Sequence, residues 1–130
     1  MVSSVHGFDD WDNPPRVEDE DSELAQLLKD YSQGDIEYKG TTEADIERAE
    51  TELRRRFSED PDSVDMEVLK DHYHLLADYC FGNVVNTTGH EQIFYFRRGW
   101  MVLNMLDKLD DKGKGLRKMI ARLLREKRGQ

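Results

Sequence analysis

Residues 88–109 read TGHEQIFYFRRGWMVLNMLDKL, and this stretch decides the fold. Thr88 and Glu91 have the spacing of a capping box directly before an apolar run. From Ile93 and Phe94 through Phe96, Trp100, Leu103 and Leu106 to Leu109, apolar residues recur with helical period over a span far too long for a strand. The apolar sector is broad, which predicts several packing neighbours. Gly99 lies inside it and costs about 1 kcal/mol against Ala. A close approach by another helix backbone would account for it. Asp110-Asp111-Lys112-Gly113 ends the helix.

The next element toward the N-terminus has the same character. Residues 63–81, SVDMEVLKDHYHLLADYCF, carry an apolar sector that widens from Val64 and Val68 to Leu75, Leu76, Tyr79, Cys80 and Phe81. Gly82-Asn83 is a helix stop, and residues 84–87 are left as a short connection. Before it, Thr42 to Phe57 reads as an amphipathic helix. Thr42 and Asp45 supply a carboxylate capping box, Ile46, Ala49, Leu53 and Phe57 a narrow apolar stripe, and Glu50–Arg54 and Glu52–Arg56 the favourable i, i+4 order. Residues 58–62 break it, and Asp35 to Thr41 is a linker. A shorter helix spans about Ser22 to Tyr31, with Leu24, Leu27, Leu28 and Tyr31 on one face.

On the other side of the opening stretch, Lys114 to Lys127 has the best periodicity in the chain. Leu116, Met119, Ile120, Leu123 and Leu124 fall at i, i+3, i+4, i+7 and i+8. Lys118 and Arg122 repel at i, i+4 unless an anionic surface lies near. No solenoid-period repeat and no strand alternation is present. The fold class is therefore all-α: a small helical bundle of four main helices plus a short N-terminal helix, preceded by a flexible acidic N-terminal arm. The domain plan is an arm over 1–21 and a helical domain over 22–130, with 112–130 as a basic amphipathic C-terminal helix.

Charge divides the chain. Residues 1–111 carry 27 Asp and Glu against 11 Lys and Arg, a net of -16, while residues 112–130 carry eight bases against Glu126, a net of +7; together they give the overall -9. Residues 1–21 have few aliphatics, two adjacent prolines and a run of acids at 18–21, a composition that resists ordering by burial. Phe8 and Trp11, set among Asp9, Asp10 and Asp12, read as a partner-docking peptide.

Catalytic patterns are absent. Gly113-Lys114-Gly115 lacks the spacing of a phosphate loop, and no nucleophile elbow is present. Cys80, the sole cysteine, sits in an apolar run as a small buried hydrophobe. It suits a reducing compartment, and a cytoplasmic location with no signal peptide and no membrane span follows. Asp71 and His74 at i, i+3 resemble half of a helical carboxylate–histidine metal set, but a second pair is missing. They read, with Asp78, as a solvated face, and His74–Asp78 as a surface pair. His72 reads as a partly buried core residue. Phe94, Tyr95, Phe96 and Trp100 with Arg97 and Arg98 could stack bases. The i, i+4 spacing of Phe96 and Trp100 favours a core role instead, with both arginines outside.

Three readings of the basic helix compete: packing against acidic helices of its own chain or a neighbour, contact with nucleic-acid phosphate, or a membrane surface. The membrane reading is weakest, for want of an aromatic anchor. The leading expectation is a non-enzymatic assembly or adaptor protein, without cofactor or metal, that forms homo-oligomers and recruits a protein partner through its charged ends. Accessory subunits of nucleic-acid machines and viral packaging or assembly factors share this general build. The runner-up is a DNA- or RNA-binding protein in which Lys114, Arg117, Lys118, Arg122 and Arg125 hold phosphates. A helical metal-site enzyme is a minor third.

Overall fold

A computed structural model describes residues 10–110. Four α-helices follow in order: α1 (Glu20–Ser32), α2 (Glu43–Glu59), α3 (Met66–Asn86) and α4 (Gly89–Asp110), with a 3-10 turn at Pro61–Ser63 between α2 and α3. The described residues contain no strand, and the fold is an all-α helical bundle. The basic helix expected over 114–127 and residues 1–9 of the expected arm lie outside the described residues.

The centre of the molecule is the α3–α4 hairpin. Apolar side chains on both helices interlock: Phe81, Leu76 and Val84 from α3 and Phe96, Val102, Leu103 and Leu106 from α4 are all essentially inaccessible to water. The Phe81 and Phe96 rings meet edge to face at 6.2 Å, as do Tyr79 and Tyr95 at 5.8 Å. Such aromatic pairs add to the burial term. Gly99 makes room for a side chain of α3. A Cβ there would stand 2.6–2.8 Å from the Phe81 ring, so the neighbour that requires glycine is a side chain and not the expected backbone.

α3 runs five residues beyond the expected stop. Gly82 stays helical, Val84 is buried, and polar side chains satisfy the final carbonyls. Thr87 Oγ1 donates to the Asn83 carbonyl at 2.7 Å, and Gln92 Nε2 donates across the hairpin to the carbonyls of Val84 and Thr87 at 2.9 and 3.0 Å. With those groups capped, a helix can end without a left-handed glycine at that point. Only Thr87 and Thr88 separate α3 from α4, and Gly89 takes φ +64° at the reversal.

The Thr42–Asp45 capping box forms in full, with the Asp45 amide donating to Thr42 Oγ1 and the Thr42 amide to Asp45 Oδ2. Glu50–Arg54 pairs as expected at 3.2 Å. Glu52 instead pairs with Arg55, and Arg56 donates to the Ser63 carbonyl. Ile46 and Leu53 are buried, but Phe57, expected on the same stripe, is 55 % exposed. It lies one turn beyond Leu53, close to where the chain turns away through Pro61. No described helix is long and apolar enough to cross a membrane.

Residues 10–21 depart from the flexible arm expected of them. Pro14, Val17 and Glu20 are buried and Trp11 packs against the core. These few apolar contacts are joined by two arginines of α4, which complete the attachment.

Candidate functional site

Phe94, Arg97 and Arg98 stand at i, i+3 and i+4 on α4 and so share one face. Residues 11–20 are held along that face. The Arg98 guanidinium lies between two aromatic rings, 4.3 Å from the Trp11 centroid and 4.1 Å from that of Phe94. Its Nε donates to the Trp11 carbonyl at 2.7 Å, and Nη2 reaches Asp12 Oδ1 at 3.4 Å. A cation between two ring faces, partly withdrawn from water, contributes about 1–2 kcal/mol. Burial lowers the Arg98 pKa, and the Asp12 carboxylate opposes that shift.

At the adjacent position, Arg97 grips Glu20 with two parallel bonds, Nε to Oε1 at 2.7 Å and Nη2 to Oε2 at 3.0 Å. Glu20 Oε1 also accepts from the Val17 amide at 3.2 Å. This forked geometry is the stronger kind of charged hydrogen bond. The Arg97 hydrogen bonds hold the Glu20 carboxyl below its usual pKa, against the opposing effect of burial. Between the two anchors, Asn13 and Pro14 of the segment and His90, Ile93 and Phe94 of α4 line a cleft of about 540 Å³.

The sequence therefore put Arg97 and Arg98 on the outside correctly in direction, but they carry a peptide of the same chain. Trp11, read as a docking residue for another molecule, is docked in cis. Phe8 and the basic candidates Lys114, Arg117, Lys118, Arg122 and Arg125 lie outside the described residues. Phe96 is buried and Trp100 packs beside it at 5.5 Å, as the core reading required.

Asp78 overturns one expectation outright. It was assigned to a solvated face, yet it is 1 % exposed. Its carboxylate accepts from the Lys39 amide at 3.0 Å, the Thr41 amide at 3.2 Å and Thr41 Oγ1 at 2.6 Å. It is the pin that fixes the linker entering α2. An acid inside the apolar run Leu75–Phe81 was the available signal, since a carboxylate there must be paired or costly. Nothing in the sequence marked the Glu20–Arg97 pair.

His72 is buried, and burial pushes its pKa below the usual value while Glu50 pulls the other way. Burial drives the Cys80 thiol far up, so it stays protonated and unreactive. Asp71 is exposed and His74 half-buried, and among the described residues no three His, Cys, Asp or Glu side chains converge as a metal-binding group. Compared with protein-family models, with curated proteins and with solved structures, the chain matches none.

Proposed function

We propose that this chain is a non-enzymatic helical adaptor of the cytoplasm that self-associates and recruits partners through short acidic, aromatic segments docking on α4. The observation that carries the reading is the Arg98 guanidinium held between Trp11 and Phe94, with Arg97 forked onto Glu20. The bundle thus already binds a peptide of that chemistry. Its own copy sits at the high effective concentration of a tethered ligand, on the order of millimolar. A neighbour's segment, or a partner's, must displace it. Exchange between two copies would link them without any new surface.

The test uses the full chain and a synthetic peptide of residues 7–21. Trp11→Ala weakens the internal copy and should raise peptide affinity about tenfold over the unaltered chain. Arg98→Ala should abolish binding in both backgrounds. Peptide affinity that is equal in all four proteins would end this reading.

The eight bases of residues 112–130 favour a second reading, nucleic-acid binding through Lys114, Arg117, Lys118, Arg122 and Arg125. Solution mass with and without DNA separates the two. An adaptor exceeds its 15.3 kDa chain mass without DNA. A phosphate-binding protein associates only with DNA present, and loses it steeply with salt.

A further inference from the structure

Sharing no lining residue with the α4 cleft, an open apolar groove of about 290 Å³ lies between α2 and α3, where Ala49, Leu53, Val68 and Leu75 meet. Phe57, one turn past Leu53, presents more than half of its surface to solvent on the same helix. Between residues 59 and 71 six exposed carboxylates, Glu59, Asp60, Asp62, Asp65, Glu67 and Asp71, stand with Lys70 as the single base. Glu52, Arg56, Asp71 and His72 complete the lining. Arg56 is turned to the Ser63 carbonyl, and the other carboxylates flank the groove beyond Asp71. A greasy floor with an acidic flank calls for an amphipathic, cationic occupant.

The hairpin register says where such an occupant starts. Phe81 meets Phe96, Tyr79 meets Tyr95, and Gln92 bonds the Val84 carbonyl. Continued residue against residue, this antiparallel pairing brings the last turn of α4 beside the first turn of α3. Residue 111 therefore follows on from the end of the bundle that carries the carboxylates. From there the sequence offers Leu116, Met119, Ile120, Leu123 and Leu124 at helical spacing, among eight bases and one acid.

We propose that residues 114–125 dock in cis on the α2–α3 groove, the apolar positions against Leu53, Val68, Leu75 and Phe57 and the cations over the carboxylates. The lengths agree. Twelve residues as a helix cover about 18 Å, and Val68 to Leu75 along α3 about 10 Å. Residues 111–113 can bridge about 10 Å when extended. Seated this way, Lys118 and Arg122 face anions, which removes their mutual repulsion. The bases are then withheld from an external polyanion until it competes with the acidic flank. This inference is independent of the α4 cleft, since it uses neither Arg97 nor Arg98.

Carbodiimide coupling of the full chain at low salt tests it, because that reagent joins an ammonium to a carboxylate only where they touch. Peptide mapping of the monomer should find amide links from Lys114 or Lys118 to Asp62, Glu67 or Asp71. Phe57→Ser changes an exposed side chain and should cut their yield about fivefold, because the apolar half of the seat is reduced. Raising salt should cut the yield as well. Links confined to a dimer mean that a second copy is the occupant and overturn the proposal. So do links spread evenly over carboxylates of α1 and residues 10–21, an absence of links, or a yield indifferent to Phe57→Ser.

Discussion

Asp78 shows how much one side chain can fix. It accepts three hydrogen bonds from a segment 37–39 residues earlier, inside a helix whose neighbours are apolar. Asp78→Ala leaves the Lys39 and Thr41 donors without a partner and should cost about 2–4 kcal/mol. Asp78→Asn keeps one acceptor oxygen and should cost less; denaturant melts of both variants check the order. Gly99→Ala presses a methyl group into the Phe81 ring and should destabilise by about 1–3 kcal/mol. Phe81→Leu in the same chain should recover part of that loss, which a double-mutant cycle would read as coupling. Two buried ionisable groups set the response to acid. His72 binds its proton more weakly folded than unfolded, so stability falls as pH drops through the unfolded value near 6.5. Glu20 holds its charge more firmly folded, so its contribution is present above about 4.5 and is lost as pH falls through its lower folded value. Thermal melts from pH 8 to 3 should show both losses, with His72→Gln removing the first and Glu20→Gln the second.

Among the elements, α2 is less secured than the α3–α4 hairpin. It packs mainly on α3, and its ion pairs Arg48–Asp45, Arg54–Glu50 and Arg55–Glu59 are largely exposed. Pairs of that kind contribute little each. The Thr42 cap and the Asp78 pin hold its start. Thr42→Ala should therefore cost about 1 kcal/mol. Hydrogen exchange should open α2 before the α3–α4 hairpin, whose buried aromatics make it the last unit to unfold. The helices themselves were legible because their period is local: residues 88–109 announce their apolar face, and residues 42–57 their cap as well. What was not legible is long-range. The i, i+4 pattern of His74 and Asp78 is the same whether that face meets water or the linker. Likewise no local rule tells that Glu20 will find an arginine 77 positions later. The end of α3 was misplaced for a related reason, since Gln92 caps it from the next helix.

At the scale of the whole molecule, opposite charge organises the assembly. An acidic chain folds its residues 10–20 back onto the two arginines of α4. Composition argued for a loose arm there, because composition counts apolar area and cannot count a guanidinium between two rings. The Trp11 contact has a consequence for observation. The chain has two indoles, Trp11 and Trp100. Trp100 is half-buried and packs beside Phe96 on the same helix, so its emission adds a second signal. Trp11 lies at the surface of the bundle, and its emission should move to longer wavelength when the segment lifts away. With Trp100 replaced by phenylalanine, the unlabelled chain becomes an optical gauge of its own occupancy, readable during titration with any candidate binder.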